Sequence, residues 1–394
     1  MRIPLSVLRF VTMPSLRLAA ALAACYASLV HASSDAAPAA PAWPQIGYDH
    51  EHSSRSPNLG PSSNPAVLWS YSAGASSGAP VVGSGIVYAS FQDELVALDA
   101  ILGTVRWSAS GGSTSPAVGP TGAVYVGTGQ PSPNGVGAYG GLNGATLWTT
   151  QLGDTGPQAS PPSVSSDGTV YVSATSSLQQ QCLNALHGGT GDVVWTAALS
   201  GYAAASQPAV GPDGTVYVAC NNKVYALDGD TGAYQWSFTT GNSVYATPTV
   251  SPLGVVYVGS WDSRVYALNA TTGTQLWNFT TLSGVQYAAS LAADGTVYVV
   301  SQDAYLYAFD GETGVLQWRT TVPGSSGAPS VAADGTLFVT SSSGPAYGNI
   351  YAVNASNGNV FWSLGMGSAV TTAVAIGAKG VLYVGAGQRV YAVA

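Results

Sequence analysis

Residues 254–277 read GVVYVGSWDSRVYALNATTGTQLW, and this phrase decides the fold because it returns eight times along the chain with variations. Two runs rich in valine and tyrosine are joined by a polar turn. A Thr-Gly turn then leads into a short segment that ends in tryptophan. Runs of β-branched and aromatic residues between turn residues are typical of strands. A repeat of this content predicts a closed ring of small antiparallel sheets.

The closing tryptophan of each unit sets the period of the repeat. Successive copies are 38 to 47 residues apart, which fits one four-stranded propeller blade. They are Trp69, Trp107, Trp148, Trp195, Trp236, Trp277, Trp318 and Trp362. A second series marks the centre of the second strand: Tyr88, Tyr125, Tyr171, Tyr217, Tyr257, Tyr298, Phe338 and Tyr383. Both series have eight members, so the sequence predicts an all-β, eight-bladed β-propeller of four-stranded antiparallel blades.

The fifth unit shows the expected layout of a blade. We predict an inner strand at 245–250, a second at 254–260, a third at 264–269 and an outer strand at 275–280. Gly273 supplies the positive φ of the hairpin turn before the outer strand. Proline stands near the start of six inner strands, where a missing N–H is tolerated, at Pro80, Pro116, Pro162, Pro208, Pro248 and Pro329. Ala289 and Thr372 depart from that pattern.

The two ends of the chain complement each other. Trp69 opens the repeats without a preceding Tyr-Ala-Leu strand, and the C-terminal strand stops at Ala394 without a tryptophan. An outer strand at 67–71 paired with a third strand at 390–393 would complete one blade. Such closure removes the exposed sheet edges that invite aggregation. We therefore expect the N-terminal strand to close the ring.

An eleven-residue pattern, Ala-x-Asp-x-x-x-Gly-x-x-x-Trp, accompanies seven of the tryptophans. It is complete in three units that end at Trp107, Trp236 and Trp318. Asn269, Asn354, Gly140 and His187 replace the aspartate in the other four. The pattern strongly resembles the tryptophan-docking motif of the pyrroloquinoline-quinone (PQQ) repeat propellers, and the resemblance covers residues 65–394. This family lies in the BamB-like, quinoprotein alcohol dehydrogenase-like superfamily.

The resemblance implies a fold but leaves the function open. The family includes quinone-dependent dehydrogenases and non-enzymatic scaffolds, such as the lipoprotein subunit of the outer-membrane β-barrel assembly machinery. A shared fold does not choose between them. Residues 43–61 also look like the lead-in of bacterial members of the family. We interpret this segment as a strap across one face of the ring rather than a binding element.

A quinone dehydrogenase of this family normally has two adjacent cysteines, a tryptophan floor for the cofactor and a calcium site with a nearby aspartate base. The chain has no Cys-Cys pair and no Cys-x-x-Cys-His haem motif. Its three glutamates, Glu51, Glu94 and Glu312, leave few candidate calcium ligands. We therefore predict no catalytic residue, no metal and no cofactor. PQQ with calcium is kept as an alternative, which would make the protein an alcohol or sugar dehydrogenase.

Two other patterns are interpreted as structural. His50 and His52 alternate with Asp49 and Glu51 and could hold a metal, but we expect imidazoles in such a lead-in to be solvated. Residues 74–78 match the Gly-x-Ser-x-Gly spelling of a nucleophile elbow, but no helix follows them. An inter-blade loop is the favoured interpretation.

The N-terminus predicts export. Arg2, Arg9 and Arg17 precede an apolar run at 18–30 that is too short to span a bilayer, so we interpret residues 1–32 as a signal peptide. A lipobox-like stretch ending at Cys25 is the alternative, and it would place a lipid anchor on that cysteine of an outer-membrane lipoprotein. Residues 33–64 would then form a flexible leader and the strap, and residues 65–394 one propeller domain.

Composition agrees with a location outside the cytoplasm, secreted or periplasmic. Charged residues make up 7% of the chain, against roughly 25% in ordinary proteins. Without residues 1–32 the chain keeps seven basic and eighteen acidic residues, a formal charge of −11. Nucleic acid, which needs a basic surface, is therefore excluded as a partner. We expect a monomer.

Two covalent features stay open at this stage. Cys182 and Cys220 are the cysteines that follow the signal, and they could pair in an oxidising compartment, although spacing alone does not decide it. Sequons occur at Asn269, Asn278 and Asn354 and would matter only in a eukaryotic host. Two of these asparagines occupy the aspartate position of the repeat, which a turn role explains.

The repeat is least regular on one face, formed by the loops between second and third strands and by the starts of the inner strands. We call this the loop face. Aromatic plates beside amides and charged groups could stack on a sugar ring or anchor a protein loop. The candidate binding residues are Tyr202, Asn221, Asn222, Lys223, Tyr245, Trp261, Asp262, Arg264, Tyr287, Gln302, Asp303, Tyr305 and Arg389. Trp261 is the preferred anchor because it follows the second strand, outside the docking position.

The sequence thus favours a non-catalytic protein-interaction or assembly scaffold that binds a protein partner on the loop face. Two alternatives stay open. One is the quinone-dependent dehydrogenase, which rests on fold analogy. The other is a lectin-like propeller that binds polysaccharide on the same face.

Overall fold

The computed structural model describes residue 49 and residues 52–394, except 64, 75–77, 93, 129–133, 154–158, 176–180, 201–205 and 345–346. Contacts divide the chain into Met1–Ala40, which lies outside the described residues, and Pro41–Ala394. The predicted signal peptide, Cys25 and His50 also lie outside them. In the described part, no helix is long and apolar enough to cross a membrane. Its one helical element is a 3₁₀ turn at Ala378–Gly380.

The described strands form eight four-stranded antiparallel sheets arranged as the blades of a ring, which confirms the predicted eight-bladed propeller. Blade 1 contains β2 (Val81–Gly83), β3 (Ile86–Phe91), β4 (Glu94–Asp99) and β5 (Val105–Ser110); blade 2 contains β6 (Ala117–Val118), β7 (Ala123–Thr128), β8 (Asn134–Gly140) and β9 (Thr146–Gly153). Blade 3 contains β10 (Ser163–Val164), β11 (Val170–Thr175), β12 (Gln181–Leu186) and β13 (Val193–Ala198); blade 4 contains β14 (Ala209–Val210), β15 (Val216–Cys220), β16 (Lys223–Leu227) and β17 (Tyr234–Thr239).

The second half of the ring repeats the arrangement. Blade 5 contains β18 (Thr249–Val250), β19 (Val255–Ser260), β20 (Arg264–Asn269) and β21 (Gln275–Thr280); blade 6 contains β22 (Ser290–Leu291), β23 (Thr296–Val300), β24 (Tyr305–Asp310) and β25 (Leu316–Thr321). Blade 7 contains β26 (Ser330–Val331), β27 (Thr336–Ser342), β28 (Gly348–Asn354) and β29 (Val360–Gly365); blade 8 contains β30 (Ala375–Ile376), β31 (Leu382–Ala386), β32 (Arg389–Val393) and the N-terminal β1 (Val67–Ser72).

Blade 8 closes the ring as the sequence predicts. Strand β1 pairs antiparallel with β32, and Ser70 lies opposite Tyr391 in this register. Backbone bonds between Ala66 and Ala394 extend the pairing beyond the strand ends. The outer strand of the last blade is therefore the first strand of the chain.

The strands differ in burial according to their distance from the channel. Second and third strands are almost wholly buried between neighbouring blades, as in β16 and β19. Outer strands alternate between exposed and partly buried residues, as in β17. This alternation is expected of a strand with one solvated face. The core consequently lies between the blades rather than at the centre of the ring.

The docking tryptophans join each blade to the next. The Trp236 indole N–H donates a hydrogen bond to the carbonyl of Ala270, in the turn before the outer strand of blade 5, at 2.8 Å. Gly273 in that turn has φ 69°, and a Cβ there would lie 2.5 Å from the indole. Glycine is therefore required for both conformation and space. The same indole-to-turn bond occurs at Trp69, Trp107, Trp148, Trp195, Trp277 and Trp318.

The repeated tyrosines reinforce the same joint. The Tyr217 hydroxyl donates to the carbonyl that Trp236 also uses, that of Ala270, at 3.2 Å. Burial raises the pKa of Tyr217 to about 12, although Thr215 lowers it in part. One turn carbonyl therefore accepts from a tryptophan and a tyrosine of the preceding blade, and this fixes the blade-to-blade distance.

Where a docking turn begins with aspartate or asparagine, that side chain holds the turn backbone. The Asp310 Oδ1 accepts bonds from the Thr313 N–H at 2.8 Å and the Thr313 hydroxyl at 2.7 Å. Asn269 makes the equivalent bonds to Thr272 at 2.9 and 3.1 Å. The turn role expected for these residues is confirmed by this geometry.

Two details of the layout differ from the prediction. The inner strand of blade 5 is only Thr249–Val250 rather than 245–250, because its pairing with β19 begins at Thr249. In blade 8, the position that proline holds before six of the inner strands is occupied by Val374, not by Thr372. The Ser330 hydroxyl donates to the Val374 carbonyl, as the Ser163 hydroxyl donates to that of Pro208 in an earlier blade.

Candidate functional site

The central channel opens on the loop face as a cavity of about 490 Å³. Every blade contributes to its wall through the residues that precede its inner strand. One residue per blade forms a ring at the level just before the proline position: Ala79, Ser115, Pro161, Gln207, Thr247, Ala288, Ala328 and Ala373. Most of these side chains are small, which keeps the mouth of the channel open.

The cavity wall also includes larger polar and aromatic side chains. Tyr245 belongs to blade 5, and Gln286 and Tyr287 belong to blade 6. Burial raises the pKa of Tyr287, and a bond from the Gln286 side chain lowers it in part. The described residues of the wall carry no charged side chain. The cavity is therefore polar but electrically neutral along its described wall.

His52 of the lead-in lies directly behind this cavity. Its side chain is fully buried, and Nε2 lies 3.0 Å from the carbonyl of Pro208 and 3.2 Å from the hydroxyl of Ser163. The carbonyl can only accept, so Nε2 carries the proton. Gln207 of the cavity wall also contacts the Ser163 hydroxyl, at 3.2 Å. The expectation that this imidazole is solvated was wrong, because it is inserted between the inner strands of two blades.

The lead-in crosses the channel by backbone hydrogen bonds. The N–H of Leu291 in blade 6 donates to Ser53, and the N–H of Val331 in blade 7 donates to Ser54, both at 2.8 Å. With His52 reaching blades 3 and 4, residues 52–54 contact both sides of the channel. The cavity is thus open on the loop face, and the lead-in lies across the channel on the opposite side.

The rim of the cavity has an exposed aromatic pair. Trp261 is 42% exposed and Tyr245 is 56% exposed. Their ring centroids are 5.9 Å apart in an edge-to-face arrangement with an 80° interplanar angle. The backbone N–H of Trp261 donates to the Ser243 carbonyl at 2.9 Å, which ties this loop to the segment that leads into the inner strand of the same blade. The pair is therefore presented on a fixed backbone.

Asp262 and Asp303 hold loops in place. Asp262 accepts from the Gly241 N–H at 2.7 Å and from the Tyr266 hydroxyl at 2.6 Å. Asp303 repeats the arrangement one blade later with the Leu282 N–H at 2.8 Å. The sequence predicted that these two carboxylates bind a ligand. In the structure both accept hydrogen bonds from groups of the protein itself.

Four candidates begin third strands: Lys223, Arg264, Tyr305 and Arg389. The structure turns two of them toward outer strands. Arg319 on β25 lies over the Tyr305 ring at 4.7 Å, and Arg389 donates to the Ser70 hydroxyl at 3.0 Å. These side chains are therefore not gathered at the cavity.

The remaining candidates are loop residues. The Asn221 side-chain amide donates to the Ser200 carbonyl, and that of Asn222 to the Thr240 carbonyl, both at 3.4 Å. Gln302 is exposed and donates its backbone N–H to Gly284 at 3.0 Å. Tyr202 lies outside the described residues. Of the candidates, Tyr245 and Tyr287 line the cavity and Trp261 stands beside them.

Metal and thiol chemistry find little support in the described residues. No group of three His, Cys, Asp or Glu side chains there is arranged to hold a metal ion. Cys182 and Cys220 are both buried and form no disulfide. Burial raises the pKa of the Cys220 thiol to about 11, which disfavours the reactive thiolate.

A family model described as outer membrane protein assembly factor BamB matches residues 62–180, 132–252, 179–290 and 262–394. These matches together span the whole propeller, so the chain belongs to this family. A comparison with curated proteins finds no match.

Solved structures share the fold at low sequence identity. Quinohemoprotein alcohol dehydrogenase ADHIIG from Pseudomonas putida HK5 is 14% identical over 89% of this chain and 80% of its own, with a TM-score of 0.72. A europium-containing methanol dehydrogenase is 15% identical over 90% and 98%, also at 0.72. BamB from Moraxella catarrhalis is 18% identical over 84% and 99%, with a TM-score of 0.65. At these identities the likeness concerns the fold alone.

Proposed function

We propose that this protein is a non-catalytic interaction scaffold that works outside the cytoplasm and binds a protein partner on its loop face. The observation that carries the proposal is the Trp261–Tyr245 pair. Two large aromatic rings stand exposed on hydrogen-bonded loops beside a cavity. Exposed aromatic side chains held on a fixed backbone are the residues from which binding hot spots are built.

Family membership supports an interaction role. The matching family model is described as an outer membrane protein assembly factor. The predicted export signal and the scarcity of charged residues support a location outside the cytoplasm. The lipid anchor at Cys25 stays an alternative to simple secretion.

A dehydrogenase activity has weaker support. PQQ carries carboxylates and works with calcium, so its site needs cationic and anionic partners. The described wall of the cavity offers no charged side chain, and the described residues contain no cluster suited to a metal. The described residues therefore do not fit that cofactor, and we assign no redox step to them.

The proposal is tested by capture on the purified protein. A partner retained from an envelope extract of the host would be identified, purified and titrated against two variants. Trp261→Ala should weaken binding by about 2 kcal/mol or more, as hot-spot truncations do. Phe361→Ala is the matched control, because Phe361 is 54% exposed on an outer strand of blade 7. Equal affinity of the partner for Trp261→Ala and wild type would refute the proposed binding surface.

A further inference from the structure

The central cavity has a chemistry that its rim does not share. Its described wall is neutral, and one of its hydroxyl groups has no hydrogen-bond partner within the protein. The Ser326 hydroxyl oxygen is buried without a partner, and Thr247 and Gln286 add further polar side chains to the wall. Buried polar groups are normally paired, so an unpaired hydroxyl in a cavity wall indicates an external partner.

We propose that this cavity binds the end of a neutral, hydroxyl-rich chain, namely an uncharged glycan. Hydroxyl and amide side chains both donate and accept, which matches the hydroxyls of a sugar. Tyr245 and Tyr287 provide apolar ring surfaces with polar tips, on which a sugar ring can pack. The inference goes beyond the protein-interaction function: it concerns the cavity, whereas the proposed partner surface is centred on Trp261 at the rim, and Tyr245 belongs to both.

The size and shape of the cavity favour the end of a glycan chain as its ligand. Its volume of about 490 Å³ lies within the range of about 300–1,000 Å³ for small-molecule sites. Because the lead-in lies across the channel behind the cavity, we expect a ligand to enter from the loop face. His52 and Gln207 meet at the Ser163 hydroxyl, so the end of the cavity nearest the lead-in is itself a hydrogen-bonded network.

The absence of charge in the described wall decides between ligand classes. An acidic sugar or the terminus of a peptide brings a charge that must be desolvated, and burial of an unpaired charge is unfavourable. A neutral glycan end has no such charge. The cavity should therefore discriminate against anionic sugars and peptide termini.

Isothermal titration calorimetry on the purified protein tests the inference. The neutral probes are maltotetraose, cellotetraose, xylotetraose and chitotetraose in its N-acetylated form, and the charged probe is tetragalacturonic acid. We expect one-to-one binding of at least one neutral probe and at least tenfold weaker binding of the charged one. Failure of all four neutral probes, or equal binding of the acidic one, would overturn the proposal.

Substitutions in the cavity wall test whether any observed glycan binding occurs in the cavity. Gln286→Ala and Thr247→Glu should each weaken binding at least tenfold, the second by placing a carboxylate in the wall. Ala328→Phe fills the cavity from blade 7 and serves if another variant is unstable. Gln275→Ala is the matched control, since this exposed glutamine lies on an outer strand. Unchanged affinity in folded cavity variants would contradict the site, and the Trp261 partner assay would be unaffected by that result.

Discussion

Two kinds of tryptophan occur in the described part of the chain, and their surroundings assign them different roles. Trp277 is 9% exposed, and its indole N–H donates to the Gly311 carbonyl at 2.9 Å. Trp261 is 42% exposed, and its ring contacts the edge of Tyr245. The first joins blades 5 and 6, and the second is presented on the loop face.

Alanine substitutions should separate these roles. Trp277→Ala removes a buried ring between blades and should lower the free energy of unfolding by about 3–5 kcal/mol. Trp261→Ala removes an exposed ring and should cost less than about 1 kcal/mol. Denaturant titration of both variants measures the contrast. If Trp261→Ala destabilises the protein as much as Trp277→Ala, Trp261 belongs to the core and the proposed site loses its centre.

Among the described residues, one junction between blades uses the lead-in instead of a docking turn. Gly60 packs against Phe338 at this junction. Trp362 donates to the Pro61 carbonyl of the lead-in at 3.2 Å, where the other docking tryptophans use a turn of the next blade. A Cβ at Gly60 would lie 2.1 Å from the tip of the Phe338 ring. This contact explains why phenylalanine replaces tyrosine in blade 7, because a hydroxyl would have no room.

Substitution of Gly60 tests that junction. Gly60→Ala forces the Phe338 ring or the lead-in to move and should destabilise the protein by about 1–3 kcal/mol. Gly365→Ala is the control, since a Cβ there meets only a side-chain oxygen at 3.6 Å. Thermal melts of both variants give the answer. Equal melting temperatures for the two would mean that the lead-in does not dock under Phe338 as described.

Some site residues could be predicted from the sequence and others could not. Trp261 and Tyr245 stand out because they depart from the repeat, and a departure is visible in one sequence. The sequence gives no sign of the role of His52, because its partners Ser163 and Pro208 are 111 and 156 residues away along the chain. Contacts made across a closed ring leave no local signal.

At the scale of the blade, the main contact between neighbours is a turn carbonyl that accepts two hydrogen bonds from the preceding blade. The Tyr217 hydroxyl and the Trp236 indole both donate to the Ala270 carbonyl. Burial, the largest cause, raises the pKa of Tyr217 to about 12, as it does for Tyr257 and Tyr298. The neutral hydroxyl is therefore the form that the folded blade requires.

These tyrosines predict alkaline destabilisation. The folded pKa is above the unfolded value of about 10, so their contribution is fully present below pH 10 and is lost as the pH rises toward 12. Tyr217→Phe should cost about 1 kcal/mol at neutral pH and should reduce the loss of stability between pH 10 and 12. Melts across that range would measure it. If the stability of the variant falls with pH as steeply as that of the wild type, Tyr217 does not contribute to the alkaline destabilisation.

The elements show where sequence reasoning was sufficient. The second, third and outer strands were predicted nearly to their ends because their apolar patterns are strong. The inner strand of blade 5 was predicted too long, since β18 spans only Thr249–Val250. Its preceding residues line the channel instead of pairing, and strand propensity does not distinguish the two. Thr372 was assigned the position of Val374 because blade 8 lacks the proline that marks it.

At the scale of the whole molecule, closure joins the two ends of the chain. Val390, Ala392 and Val393 of β32 are fully buried, and the strand lies between β31 and β1. Removing β32 would expose the edges of both neighbours. The stability of the ring therefore depends on its last seven residues.

Deletion of residues 388–394 should lower the free energy of unfolding by at least about 3 kcal/mol, the value for two buried valines, and should broaden the transition. Arg389→Ala is the control, because it shortens one exposed side chain of β32 and keeps the pairing. Calorimetric melts compare the two. A truncated protein that melts like wild type would contradict closure by β1.

We propose that a fold shared with quinone dehydrogenases serves in this protein as a binding scaffold. The most direct test adds PQQ and calcium to the purified protein, followed by gel filtration, an absorption spectrum and a dye-reduction assay with alcohols and sugars. We predict that the cofactor separates from the protein and that no dye is reduced. Stoichiometric retention of the quinone with substrate-dependent dye reduction would contradict the claim.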